Sequence, residues 1–223
     1  MASLPLDRLS QRARYILRHE GWRAFLNQGF SFVTNRFLSC GTYYLYEKEL
    51  TPGSIEIEVS PRVDCTARVI SSLDEFHELL REGYDVKAMS FTPALEKGAL
   101  AFCIFVGQAL ASVTWVALSE EAKEHVDYLP FKVNFQAGEV CSGASYTDPT
   151  YRAKGLLAYT YSHIFPHLAG KGIRKDKFSI AVDNTASQKA HARFSPLITG
   201  RGRYLRILWW HSWKEQPIGE IER

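Results

Sequence analysis

The sequence predicts an α+β fold: one mixed, mostly antiparallel central sheet with helices on both faces, plus a helical N-terminal appendage. Three observations predict it. A continuous apolar run over residues 99–106 turns at Gly107-Gln108 into a second extended stretch, which is the pattern of a buried hairpin. Amphipathic helix patterns alternate with short strands around that hairpin. The resulting order is strand, helix, hairpin, strand, helix, strand, helix, strand. Antiparallel hairpins combined with strand–helix–strand crossovers build a single layered sheet.

The elements follow in order. Residues 6–38 read as helical, with Leu9, Ile16, Leu17, Trp22, Phe25 and Leu26 among arginines and breaks at Gly21 and Gly29. Thr51-Pro52-Gly53 is a turn, and residues 54–59 alternate Ile55, Ile57 and Val59 with Glu56 and Glu58 as a half-exposed strand. The chain therefore divides into an appendage with its linking strand, residues 1–61, and a main domain, residues 62–223. Residues 66–71 form a strand, and Ser72 with Glu75 forms a capping box ahead of Leu73, Phe76, Leu79 and Leu80 at helical spacing. The hairpin strands cover residues 99–106 and 109–118. Residues 139–147 form a strand of small side chains. A helix follows with Leu157, Tyr161, Ile164 and Leu168 on one face, and Pro166 is expected to kink or end it. Residues 177–182 (strand), 185–194 (helix) and 204–213 (strand or strand pair) close the domain.

Composition narrows the function classes. With 46% hydrophobic and 23% charged residues the 223-residue chain is an ordinary globular sequence. No apolar run reaches the roughly 18–20 residues of a membrane span, and the N-terminus lacks the pattern of a secretory signal. Scattered Cys40, Cys65, Cys103 and Cys141 read as reduced, structural residues, so the expected location is cytoplasmic and no metal site is expected. A net charge of +3 gives no basis for a nucleic-acid partner. The positive charge gathers instead in two regions. One is residues 1–38, where six arginines face only Asp7 and Glu20; the other runs from Lys171 to Arg206. The first leaves three roles open: packing on the main domain to shape its pocket, a peripheral membrane contact, or a homodimer contact.

The chemistry concentrates at residues 142–157. Ser142, Gly143, Ala144 and Ser145 leave a strand without bulk, and the following helix start carries Arg152, Lys154 and Gly155. The first turn of a helix holds unpaired N–H groups and the positive end of the macrodipole, a natural seat for phosphate where glycine lets it approach. The same residues also fit a plain helix start. In context, Pro149-Thr150-Tyr151-Arg152-Ala153-Lys154-Gly155-Leu156-Leu157 resembles the pyrophosphate-binding signature of the GNAT superfamily of acyl-CoA-dependent N-acetyltransferases. It matches at the proline, tyrosine, arginine and first glycine, and departs at Leu157, where that family has a small residue. Val182-Asp183-Asn184-Thr185-Ala186-Ser187, leading to Arg193-Phe194, resembles the family's second anchor. The resemblance covers roughly residues 64–210 and implies a GNAT-type fold.

The resemblance also implies an activity: transfer of an acetyl (acyl) group from acetyl-CoA to a primary amine of a small molecule or amino sugar. A protein or aminoacyl acceptor and a non-catalytic acyl-CoA-binding module stay open as alternatives. The cofactor-binding residues it implies are Ser145, Tyr146, Thr147, Tyr151, Arg152, Ala153, Lys154, Gly155, Leu156, Asn184 and Ser187. Asn184 also suits a helix cap. His191 and Tyr146 are the candidate proton donors and Glu139 the candidate base.

Overall fold

The computed structural model describes residues 38–51, 58–86 and 91–218. The helix expected over residues 6–38 and most of the strand expected over 54–59 lie outside them. The described chain contains eight strands: β1 (Leu38–Glu49), β2 (Thr66–Ile70), β3 (Leu100–Val106), β4 (Ala109–Ala117), β5 (Glu139–Thr147), β6 (Lys175–Ala181), β7 (Leu197–Ile207) and β8 (Trp210–Pro217). Its helices are α1 (Leu73–Arg81), α2 (Thr92–Glu96), α3 (Glu120–Val126), α4 (Leu156–Gly170) and α5 (Thr185–Ala192). The strands form one sheet in the order β2-β3-β4-β5-β6-β1-β7-β8. The described residues divide into two units, a larger one of residues 42–202 with 215–218 and a smaller one of residues 38–41 with 203–214.

In the larger unit β2, β3, β4 and β5 run antiparallel to their neighbours, whereas β5 and β6 are parallel. The crossover between β5 and β6 is α4. Ser142 and Gly143 fix the layers, because consecutive strand residues point to opposite faces. The Ser142 hydroxyl meets Tyr161 of α4, and a Cβ on Gly143 would lie 2.9 Å from the Val126 carbonyl of α3. Helices α3 and α4 therefore cover opposite faces. The α4 face holds the main core: Phe102, Val116, Val140, Tyr161, Ile164, Phe165, Leu168 and Phe194. Each such side chain contributes about 1.5–3 kcal/mol by leaving water.

Local chemistry explains the ends of the elements. Ser72 caps α1 by accepting the Glu75 N–H, but the Glu75 carboxylate reaches back to the Ser71 N–H rather than to Ser72. Pro166 sits inside α4 without ending it; the helix runs on to Gly170. The sheet extends further toward the N-terminus than the sequence pattern indicates. β1 pairs with β6 from Tyr43↔Ala181 to Glu49↔Lys175, and Glu47 and Glu49 bind Lys175 while Glu47 also binds Lys177. The closing segment is a strand pair, β7 and β8.

Candidate functional site

The site begins where two parallel strands part. β5 and β6 pair only from Glu139↔Lys175 to Cys141↔Lys177. The next N–H along β5, that of Ser142, is taken by the carboxylate of Asp176 at 3.0 Å, and the Ser142 hydroxyl donates to the same carboxylate at 2.7 Å. Beyond that clip the strands diverge. The β5–β4 ladder is irregular there as well: its register skips between Val113↔Tyr146 and Trp115↔Gly143, so two residues, Ala144 and Ser145, stand opposite Thr114 alone. Ala144 has φ +43, and such a bulge removes backbone groups from the ladder.

The gap is a cavity of about 880 Å³. Phe178, Ser179, Ile180 and Ala181 of β6 line it on one side, and Ser142–Thr147 of β5 on the other. At one end lies the segment before α4. Asp148 caps a single 3₁₀ turn, Pro149–Tyr151, by accepting the Thr150 N–H, and that bond, first among several, holds its carboxyl below the usual range. Arg152 follows in extended conformation and donates from Nε to the Thr147 carbonyl. Ala153 (φ +59) and Gly155 (φ +82) then turn the chain into the helix, with the Lys154 carbonyl fixed by the Arg62 N–H. Among the described residues nothing accepts from the N–H groups of Ala153, Lys154 or Gly155, and a Cβ on Gly155 would meet nothing within 4 Å. Open donors at a helix start, bare of side-chain cover, fit a pyrophosphate.

Two buried groups stand behind the cavity on the α4 face. Asp176 is fully buried, and burial lifts its pKa to about 7. His191 is 4% exposed, donates from Nδ1 to the Ser187 carbonyl at 2.8 Å, and has its pKa lowered to about 4 by burial. Its Nε2 has no partner among the described residues. On the opposite face the Ser179 hydroxyl donates to Asp127 at 2.6 Å. Burial raises the Asp127 pKa, against the pull of Ser179, of the Leu129 N–H and of Lys123. Tyr43, also at the cavity, shares a hydrogen bond of 2.8 Å with Tyr128.

No protein-family model matches the chain. It is similar to a phosphinothricin N-acetyltransferase of Streptomyces coelicolor, 25% identical over 174 residues that cover 75% of this chain and 99% of that protein. Among solved structures it resembles a conserved protein of unknown function from Staphylococcus epidermidis. The TM-score is 0.50 at 9% identity, over 80% of this chain and 66% of that one. A GCN5-related N-acetyltransferase from Kribbella flavida gives 0.49 at 16% identity, over 80% and 63%. The chain thus spans just under two thirds of these solved chains. It shares the fold of the Staphylococcus epidermidis protein.

Most residues singled out for a GNAT site converge on the cavity. Ser145, Tyr146, Thr147, Tyr151, Arg152, Ala153, Gly155, Leu156, Asn184, Ser187 and His191 all line it. Lys154 lies in the same turn, held through its carbonyl. Asn184 caps α5 by accepting the Ser187 N–H while also facing the cavity, so both of its readings hold. From the late basic group Lys189 and Arg193 line the cavity, whereas Lys175 and Lys177 are tied to Glu47, Glu49 and Glu139.

Three expectations change. Arg152 stands before the helix, which starts only at Leu156, rather than on its first turn. Glu139 is not brought to the cavity; it pairs with Lys177 at 2.9 Å and accepts the Asn134 N–H at 2.7 Å. Burial raises its pKa, but those two partners outweigh it and the net shift is downward, the wrong direction for a base at neutral pH. His191 is neutral near pH 7 with its only proton engaged on Ser187, so it offers a lone pair and not a proton. Asp127, Ser179 and Asp176 were missed from the sequence, since each depends on a partner at least 34 residues away.

Proposed function

We propose that this chain is an N-acetyltransferase that moves an acetyl group from acetyl-CoA to a primary amine of a small molecule. The observation that carries the reading is the parting of β5 from β6, which opens a cavity beside the turn before α4. Bound there, acetyl-CoA supplies an activated thioester carbonyl. Residues 153–155 present backbone N–H groups to its pyrophosphate, with Arg152 and Lys154 adding charge. The bulge at Ala144–Ser145 turns backbone N–H groups out of the ladder, where they polarise a carbonyl.

The acceptor enters from the α3 face. Its ammonium gives a proton to the Ser179 hydroxyl as that hydroxyl passes its own proton to Asp127, and the neutral amine results. A carboxylate lifted by burial is suited to this task. Tyr146, which lines the cavity and whose hydroxyl stands 3.5 Å from Asp148, is the residue with a proton to give to the departing thiolate. The four free cysteines fit a cytoplasmic location, where thiols stay reduced.

Calorimetry with acetyl-CoA, followed by thiol release across a panel of primary amines, tests the reading. Micromolar binding with turnover on at least one amine is expected. Absence of binding at millimolar acetyl-CoA removes the proposal, and binding without turnover on every amine leaves a non-catalytic acyl-CoA module.

A further inference from the structure

The end of the β7–β8 hairpin breaks two rules for a turn in water. Its two turn positions are Leu208 and Trp209, where short hairpins ordinarily place Gly, Asn or Asp. Leu208 is held at φ +57, a left-handed conformation that opposes a bulky L side chain. The apolar surface is also left outside. Trp209 is 87% exposed and Trp210 53%, with Ile207 and Leu208 each at 45%. Neither turn geometry nor solvation accounts for these residues, so another environment must.

Charge identifies that environment. Between Arg201 and Lys214 the sequence has no acidic residue. Behind the apolar tip Arg203, His211 and Lys214 are exposed, and Arg206 carries a buried Nε with no partner among the described residues. The hairpin therefore presents a four-residue apolar tip backed by a cationic collar. A second copy would set one collar against another. A nucleic acid or an acidic protein surface would pair with the collar but leave Leu208 and most of the tip in water. An anionic bilayer matches both parts: the interface favours indole rings, and headgroup phosphates attract basic side chains just above them.

We propose that the Ile207–Trp210 tip is a membrane-docking element that inserts into anionic lipid surfaces, with Arg203, His211 and Lys214 seated on headgroup phosphates. Docking of this kind is peripheral; among the described residues no helix is long and apolar enough to cross a membrane. It does not rest on the acyltransferase reading, and its test needs no acyl-CoA.

The full chain is mixed with phosphatidylcholine vesicles, or with mixed phosphatidylcholine–phosphatidylglycerol vesicles, and followed by cosedimentation and tryptophan emission. Pelleting and a blue-shifted emission are expected with the anionic vesicles only, and both should weaken as salt screens the collar. Trp209→Ser and Trp210→Ser should each lower partitioning about tenfold. Arg203→Gln and Lys214→Gln should each lower it about fivefold, on anionic vesicles alone. Leu208→Gly separates docking from folding: it relieves the left-handed strain, so the thermal midpoint should hold or rise while partitioning falls. The proposal is overturned by equal partitioning to both vesicle types, or by none to either. It is equally overturned if the double Trp→Ser variant binds as well as the parent, which places docking elsewhere in the chain. Self-association abolished by that variant would assign the tip to a second copy instead.

Discussion

At the residue scale, Asp127 and Ser179 carry the heaviest chemical demand of the proposed reaction, because a primary amine is protonated near neutral pH and must lose that proton before it attacks. Asp127→Asn keeps the shape and the Ser179 contact but removes the proton acceptor. Its kcat should fall by about 10²–10⁴-fold while the KM for acetyl-CoA stays near the parent value. Ser179→Ala should fall less, since a water in its place can bridge to the carboxylate. A variant Asp127→Asn with parental kcat would leave the amine to lose its proton to solvent. Gly155 tests the other end. Alanine at φ +82 costs about 1–2 kcal/mol of strain and meets no neighbour, so its Cβ intrudes only on the phosphate seat. Steady-state kinetics of Gly155→Ala should give a raised KM for acetyl-CoA with kcat nearly kept. The turn before α4 was legible in sequence because its residues are consecutive. The Asp127–Ser179 contact was not, because 52 residues separate its members and neither belongs to a local pattern.

At the scale of elements, the small side chains of β5 were visible before the structure, but they have more than one cause. Gly143 is small because α3 crosses it: a Cβ would press on the Val126 carbonyl at 2.9 Å and Val126 Cγ1 at 3.3 Å. Gly143→Ala should therefore destabilise by about 1–3 kcal/mol through overpacking, read as a lower thermal midpoint. An unchanged midpoint would mean that α3 can shift aside. Ser142 is small for a different reason, since its N–H and hydroxyl must both reach Asp176. The hairpin of β3 and β4 and the crossover α4 were legible from unbroken apolar runs and helical spacing. β1 was not. Its Tyr44, Tyr46 and Lys48 alternate with Tyr43, Leu45 and Glu47, so neither face is uniformly apolar, and the carboxylates are matched only by Lys175 and Lys177 on a strand more than 120 residues later.

At the scale of the whole molecule, Asp176 and His191 place two opposed titrations in one core, both near Tyr161. His191 takes a proton near pH 6.5 when unfolded but only near 4 when folded. As pH falls through that window the unfolded chain binds the extra proton, and stability is lost. Asp176 runs the other way. Unfolded it releases its proton near 3.8, folded it keeps it to about 7, so its stabilisation is present below 3.8 and lost as pH rises toward 7. Between about 4 and 6.5 the two slopes cancel, leaving a plateau as far as this pair is concerned. Single substitutions should expose each slope in turn. Relative to the parent, Asp176→Asn should gain stability as pH rises through the window, and His191→Gln should gain stability as pH falls. Each difference should approach about 1.4 kcal/mol per pH unit, one proton's worth. Urea midpoints measured across the window for the parent and both variants check this. Profiles that run parallel to the parent would mean that neither group titrates in the buried state the fold gives it; slopes of opposite sign would mean that the junction where β5 leaves β6 is held by a carboxyl that stays protonated through mildly acidic pH.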